Sequence, residues 1–315
     1  MATEHILIAG AQSSDDAHEP SPSRWLAVAT DYWSLTKPEV NFLIVICTFA
    51  GFYLGYPAHP EHFPLVRLID TLLGTLLVAS GTGTLNQYLE RRFDALMRRT
   101  AIRPLPAGRI KPRQALAFGT LLASAGAAYL AVAVSVLASL LAILTVVTYL
   151  FAYTPLKRKT PLCTLVGAFP GAIPPLIGWA AATGTLSLQA LAIYAVLFLW
   201  QFPHFMAIAW MYREDYAHAA YLVLPCENQC RFVAWVTLLP TLGLVVLSLA
   251  PTPLARSGLA CRIGVLLLSS GLVYCGAQLG LRRSTLAARR LLLASIVYLP
   301  LVFLLRVVDR LLGSS

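Results

Sequence analysis

The chain is best understood from residues 86–113, which read NQYLERRFDALMRRTAIRPLPAGRIKPR and hold 8 of its 24 Lys and Arg residues. On a helix, Asn86, Glu90, Asp94 and Arg98 follow at steps of four residues, so they stay near one face. Two acids and an amide can hold a hard cation through oxygen, and the arginines beyond them can hold an anion. A solvated, salt-bridged loop is the alternative.

The surroundings of this stretch favour a functional interpretation. The segment before it, LLGTLLVASGTGTL, is apolar, which places the acids where a membrane helix ends. Ionisable groups are costly at such positions and are therefore candidates for function. Mg²⁺ takes one or two carboxylates from protein and the rest of its ligands from water and phosphate, so the stretch suits Mg²⁺–diphosphate.

The composition indicates an integral membrane protein. Of 315 residues, 58% are hydrophobic and only 12% are charged, whereas soluble domains carry about 25% charged residues. The net charge of +10 falls in short loops between apolar segments, which is typical of membrane topology and argues against nucleic acid as a partner. We predict a disordered cytoplasmic tail over residues 1–30 and one polytopic domain over 31–315.

The apolar pattern predicts an all-α membrane protein with about nine transmembrane helices, since each segment has the roughly 20 residues that span a bilayer. Lys and Arg concentrate on the side of the N-terminus, with 19 of 24 in the loops assigned there. This asymmetry predicts a cytoplasmic N-terminus. The predicted segments are 39–57, 65–88, 114–133, 136–153, 164–182, 188–211, 232–250, 259–280 and 287–307.

Two further polar stretches lie on the predicted cytoplasmic side. Lys157 and Arg158 form a cation cluster after the fourth segment, which either sets topology or binds an anion. Glu214 and Asp215 follow the sixth segment, and His204 lies within it. A lone histidine in a membrane helix serves either packing or substrate binding, and the sequence leaves both open.

This arrangement suits the breaking of an allylic C–O bond. If the second and sixth helices are neighbours, their acids face each other across a cavity and can hold Mg²⁺ bridged by a diphosphate. Lys and Arg aimed at the departing oxygen add electrostatic stabilisation. An apolar tunnel would protect the resulting carbocation from water.

Several segments together resemble the intramembrane prenyltransferase superfamily, and most closely its branch that farnesylates heme b. The resemblance covers roughly residues 35–310. Beside the stretch described above, the segments that carry it are LTKPEV (35–40), YTPLKRKT (153–160), GAIPPLIGWAAATG (171–184) and WQFPHFMAIAWMYREDY (200–216).

The resemblance implies a nine-helix fold around a central cavity, in a multi-pass protein of the bacterial plasma (inner) membrane with its active site facing the cytoplasm. It implies transfer of farnesyl from farnesyl diphosphate to the vinyl group of heme b, giving heme O for heme–copper oxidases. Mg²⁺ is the implied cofactor, whereas heme b is a substrate. The expected partners are farnesyl diphosphate, heme b, the lipid bilayer and a downstream heme A synthase.

The resemblance also assigns roles to particular residues. The implied catalytic residues are Asn86, Glu90, Asp94 and Asp215. The implied metal ligands are Glu90, Asp94, Glu214 and Asp215. The implied substrate-binding residues are Lys37, Arg98, Arg103, Lys157, Arg158 and, for heme, His204.

Two departures from the family pattern bear on these roles. Arg92 stands where many relatives have an acid, and HAAYLVLP (218–225) replaces the usual AG-x-PMLP. The competing functions are prenyl transfer to another acceptor, such as a quinone or chlorophyll precursor, a multi-pass transporter and a non-catalytic assembly factor. A transporter should show repeat symmetry and broken helices near the midplane.

Overall fold

The computed structural model describes residues 24–56, 62–225, 229–249 and 258–313. All regular secondary structure in these ranges is helical. In chain order the helices are α1 (Arg24–Leu35), α2 (Pro38–Gly55), α3 (Leu65–Asp94), α4 (Pro112–Val134), α5 (Val136–Leu156), α6 (Cys163–Thr183), α7 (Leu188–Met211), α8 (Arg213–His218), α9 (Gln229–Leu249), α10 (Leu259–Arg282) and α11 (Thr285–Gly313).

Within these described ranges, nine helices are long and apolar enough to cross a membrane, namely all except α1 and α8. The predicted fold class and the nine spans are confirmed. The second span, predicted over residues 65–88, lies within a longer helix, because α3 continues without interruption to Asp94. The predicted cytoplasmic N-terminus and central cavity remain predictions.

The predicted tail lies largely outside the described residues, which begin at Arg24. Residues 24–30 of that tail belong to α1. The tight connection expected between the third and fourth spans is present, since Ser135 alone separates α4 from α5. Ser135 is extended, and its hydroxyl caps α5 by accepting a hydrogen bond from the Ala138 N–H at 3.1 Å.

Helix α6 is the central helix of the described bundle. Its span is 72% buried, whereas no other span exceeds 50%. Its second half begins at Pro174 and packs along α2. The two backbones touch because a glycine stands at each contact: Gly51 lies against the Pro175 carbonyl, and Gly178 lies against the Thr48 carbonyl. Small residues allow such close approach in membranes.

Helix α3, which carries the first acidic stretch, and helix α7, which precedes the second, have different main neighbours. Helix α3 packs chiefly on α4 and α2, whereas α7 packs on α9 and α11. Their polar ends meet through the residues that follow them. The Phe93 and Tyr221 rings lie 5.9 Å apart, and the Arg99 guanidinium lies 4.5 Å from the centre of the Tyr212 ring. The two acidic stretches are thus on the same side of the bundle.

The contact between α2 and α6 should tolerate no added methyl group. We expect Gly178→Ala to lower the free energy of unfolding by about 1–3 kcal/mol, because its Cβ would overlap the Thr48 carbonyl. Thermal unfolding of the detergent-purified protein measures this. Gly271→Ala is the matched control, since a Cβ at Gly271 meets no neighbour. Equal unfolding temperatures for the two variants would contradict the packing argument.

Candidate active site

Three polar side chains form one buried face at the end of α3. Asn86, Glu90 and Asp94, here called the polar row, are only 1%, 7% and 2% exposed. Their spacing of four residues keeps them on one side of the helix, as the sequence indicates. Buried carboxylates are costly unless a cation or hydrogen-bond donor satisfies them. The polar row therefore requires partners from elsewhere in the chain.

Each member of the polar row has one cationic partner, and these partners are here called the paired cations. They come from three different segments: the turn between α1 and α2, the segment after α3, and the segment after α5. The contacts are Lys37 Nζ to Asn86 Oδ1 at 2.7 Å, Arg103 Nη1 to Asp94 Oδ2 at 2.9 Å, and Lys157 Nζ to Glu90 Oε1 at 2.8 Å.

Lys37 is held in an unusual backbone conformation. Its φ is 55°, in the left-handed region, which costs roughly 1–2 kcal/mol in a residue with a Cβ. The surrounding turn is held by side chains that bind its carbonyls: Asn41 donates to the Thr36 oxygen at 2.8 Å, and Gln87 donates to the Leu35 oxygen at 3.0 Å. These bonds maintain the turn that brings Lys37 to the polar row.

The two lysines of the site differ in their protonation. Burial, together with the positive charge of Arg103, lowers the pKa of Lys37 to about 7. Burial also acts to lower the pKa of Lys157, but the Glu90 carboxylate outweighs it and raises that pKa well above its ordinary value. Lys157 is therefore charged at neutral pH, whereas Lys37 is only partly charged. An anion bound beside Lys37 would favour its protonated form.

Two of the predicted anion-binding arginines make no described hydrogen bond or ion pair with the polar row. Arg98 is exposed, and no described hydrogen bond or ion pair joins it to the row. The guanidinium of Arg158 stacks on Phe93, 4.3 Å from the ring centre, and lines a separate cavity. The structure thus joins Lys37, Arg103 and Lys157 to the polar row, and the anion-binding roles of Arg98 and Arg158 stay predictions.

The acids after α7 occupy the short helix α8. The Glu214 side chain is 81% exposed and lies 3.4 Å from Arg213, and Asp215 is half-buried. In the part of the chain that the structure describes, no three His, Cys, Asp or Glu side chains gather as a metal cluster. The metal-binding role of Glu214 and Asp215 stays a prediction.

His204 lies inside the bundle, between α7 and α11. Its Nδ1 lies 2.9 Å from the Ser295 hydroxyl oxygen, and its ring stacks on Trp200 with 4.9 Å between the centres. Trp200 in turn donates to the Ser295 carbonyl at 2.7 Å. Two side chains, Ser295 and Trp200, therefore hold the imidazole in one orientation, and its role toward heme stays a prediction.

Tyr221 belongs to the site although the sequence did not single it out. It is 6% exposed, its hydroxyl lies close to the Glu90 carboxylate, and its ring centre lies 5.9 Å from Lys157 Nζ. Burial, with Glu90 nearby, raises the pKa of Tyr221, so the hydroxyl remains a donor. The adjacent Leu222 N–H donates to the Lys157 carbonyl at 2.7 Å, which fixes this segment against the polar row. No periodic pattern in 218–225 indicated this.

The geometry has a counterpart among known families. Residues 44–298 match the model of the UbiA prenyltransferase family. This chain belongs to that family. It is 44% identical over 287 residues to a protoheme IX farnesyltransferase of Solibacter usitatus, covering 89% of this chain and 98% of the relative. It is 41% identical over 290 residues to a protoheme IX farnesyltransferase of Koribacter versatilis, covering 89% and 93%.

Solved structures support the same fold. A digeranylgeranylglyceryl phosphate synthase superposes with a TM-score of 0.71 at 16% identity, covering 90% of this chain and 98% of that one. A UbiA homolog from Archaeoglobus fulgidus, bound to GPP and Mg²⁺, superposes with a TM-score of 0.60 at 15% identity, covering 85% and 99%. At these identities the likeness concerns the helical fold shared across the family.

Removing Lys157 alone should destabilise the protein much more than removing the charges of both Lys157 and Glu90. The two side chains are 14% and 9% exposed, so we expect Lys157→Met to lower the free energy of unfolding by about 3–5 kcal/mol by leaving a buried carboxylate unpaired. Adding Glu90→Gln should recover most of that loss. Denaturant unfolding of the purified protein measures both variants.

The matched control for this cycle is Arg109→Met, which removes the exposed pair with Asp31. The Arg109 side chain is 48% exposed, and we expect a loss of at most about 1 kcal/mol. If the free energy of unfolding falls equally in Lys157→Met and in the double variant, Lys157 does not compensate the buried charge of Glu90.

Proposed function

We propose that this protein transfers the farnesyl group of farnesyl diphosphate to the vinyl group of heme b, giving heme O for heme–copper oxidases. The observation that carries the proposal is the polar row of α3 with its three paired cations at one end of a membrane bundle. The choice of heme b as the acceptor is supported by relatives named protoheme IX farnesyltransferase, which align with this chain along almost their whole length.

We propose Mg²⁺ as the metal of the reaction, held by Glu90 and Asp94. The donor set fits, because each carboxylate bonds a cation through one oxygen and the two lie one helical turn apart. Mg²⁺ in proteins is usually bound by one or two carboxylates, and phosphate oxygens and water provide its remaining ligands. When bound, the metal supplies charge neutralisation of the leaving diphosphate. We extend this ligand set to Asp215 and Glu214 as proposed further donors.

The paired cations are suited to bind the diphosphate oxygens. Lys37, Arg103 and Lys157 reach the polar row from different segments, so an anion placed beside the row can contact all three. Donors positioned in advance stabilise the charge that develops on a leaving group without having to reorganise. Arg98, at the exposed edge, and Arg158, beside Phe93, are proposed to add to the positive field at this end of the bundle.

The reaction then balances as follows. The bond between farnesyl C1 and its oxygen breaks, and the electron pair leaves with the diphosphate. The vinyl π electrons of heme b form the new C–C bond, and the cation left on the heme side takes up water and releases a proton. Apolar walls that exclude bulk water protect the allylic cation until the vinyl group reacts.

We further propose that this end of the bundle faces the cytoplasm of a bacterium and that the N-terminus lies there too. The support is the concentration of Lys and Arg in the loops on this side. Farnesyl diphosphate would reach the site from the cytoplasm, with its tail in the lipid phase. A heme A synthase is the proposed downstream consumer of heme O.

A direct test measures heme O by mass spectrometry after incubating the purified protein with heme b and farnesyl diphosphate, with Mg²⁺ or with a chelator. We expect product only with Mg²⁺. Asp94→Asn should lower turnover by about 100-fold or more, since it removes a charge from the metal site. Asp31→Asn, which alters an exposed ion pair, should leave turnover unchanged.

Two outcomes would overturn these assignments. Near-normal heme O formation by Asp94→Asn would remove the metal role of that carboxylate. If the unaltered protein prenylates a quinone precursor and forms no heme O, the acceptor is a quinone precursor and not heme b.

The proposed role of His204 is contact with heme. Ser295 occupies Nδ1, which leaves Nε2 for substrate. We expect His204→Ala to weaken heme binding by about tenfold, as the loss of one coordinated or hydrogen-bonded nitrogen would. Absorbance titration of the protein with heme measures this, and Ser295→Ala should have a smaller effect. Unchanged heme affinity in His204→Ala would assign the histidine to packing.

A further inference from the structure

A second polar site lies beside the polar row, on the other side of Tyr221. It is a cavity of about 440 Å³ between the segment after α5 and the segment that includes α8. Arg158 and Arg213 line it, together with Tyr216, Tyr221 and Leu224, and we call it the Arg158–Arg213 cavity. It lies at the end of the bundle, where membrane helices give way to polar segments.

Both arginines are held in place without a buried carboxylate partner. The Arg158 guanidinium stacks on Phe93 at 4.3 Å. Arg213 donates to the Trp210 carbonyl at 3.0 Å, and its pair with Glu214 is long, at 3.4 Å, and open to solvent. Stacked, planar guanidinium groups are arranged in advance to bind carboxylates through two hydrogen bonds. The cavity therefore carries positive charge that the described protein does not neutralise within it.

Tyr221 separates the cavity from the polar row. Its ring lines the cavity and is 6% exposed, and its hydroxyl lies close to the Glu90 carboxylate. The hydroxyl is therefore satisfied from the polar row, and the two guanidinium groups supply the charged donors of the cavity.

The cavity differs in charge from the neighbouring polar row. There, every cation meets an acid or an amide of α3, which suits an anion that arrives with a metal. The lining of the Arg158–Arg213 cavity contains no acid among the described residues, which suits an anion that arrives without one. Tyr221 lies between the two sites, near Lys157 and near Phe93. A molecule anchored in the cavity can extend toward the prenyl donor.

We propose that the Arg158–Arg213 cavity binds the carboxylate edge of the acceptor, with Arg158 and Arg213 each taking one propionate of heme b. This inference rests on the proposed function. Heme b carries its two propionates on one edge and its vinyl groups on the other part of the ring. Anchoring the propionates directs a vinyl group inward, toward farnesyl C1.

The experiment compares two acceptors, heme b and its dimethyl ester, in Arg158→Gln, Arg213→Gln and the unaltered protein. We expect each substitution to raise the KM for heme b about tenfold, the effect of losing one hydrogen-bonded charge. The KM for farnesyl diphosphate should not change in Arg213→Gln, and in Arg158→Gln it should rise much less than the KM for heme b, since Arg158 also adds to the positive field near the polar row. The unaltered protein should prefer heme b to the ester, and the substitutions should remove that preference. Heme affinity from absorbance titration should fall in parallel.

Controls separate charge, folding and ligand identity. Arg282→Gln removes an exposed arginine at the end of α10 and should change neither KM. Arg213→Lys keeps the positive charge but loses the planar guanidinium that can form two parallel hydrogen bonds to a carboxylate. It should raise the KM for heme b less than Arg213→Gln does. Unfolding temperatures identify any variant that is merely unstable.

Three results would overturn the inference. If the KM for farnesyl diphosphate rises instead of that for heme b, the cavity serves the diphosphate. If the unaltered protein uses the dimethyl ester as well as heme b, no carboxylate is recognised. If heme affinity is unchanged in both variants, the cavity binds something else. Failure to form any heme O would contradict the proposed function, and the titration would still test the cavity.

Discussion

Burial of the two carboxylates of α3 is the constraint on which this end of the molecule depends. Glu90 and Asp94 are too well buried to remain charged without partners. Their cations, Lys157 and Arg103, come from segments that would otherwise lie free at the membrane surface. Satisfying the acids therefore folds those segments onto the end of α3. Asn86 does the same for the turn between α1 and α2 through Lys37.

The same pairing makes the site suitable for two anionic substrates. Positive groups gathered around acids suit a diphosphate that shares a metal with those acids. The Arg158–Arg213 cavity offers positive groups without acids, and so suits carboxylates that bind no metal. Tyr221 lies between the two sites, and its backbone neighbour Leu222 is bonded to Lys157. One short segment thus sets the distance between the polar row and the Arg158–Arg213 cavity.

Much of the architecture could be predicted from the sequence because the signals are local. Apolar runs of bilayer length marked the nine spans, and spacing by four placed Asn86, Glu90 and Asp94 on one face. The predicted second span stopped at residue 88, where charged residues interrupt the apolar pattern, whereas the helix continues to Asp94. The charges beyond residue 88 are buried beside cations, of which Lys37 and Lys157 come from segments that a window of sequence does not include. Arg158 follows Lys157 in the chain, yet its guanidinium lies over Phe93 rather than on Glu90, and its role in substrate binding stays a prediction.

The sequence by itself determined the membrane class, the spans and the acidic face, because hydropathy and helical period depend only on neighbouring residues. Tertiary structure decided which cation meets which member of the polar row. The partners are 49, 67 and 9 positions apart in the chain. Their meeting depends on how the helices pack, including the glycine contacts that let α6 approach α2, and no local pattern carries that information. The same packing decided that Arg158 and Tyr221 share a cavity with Arg213.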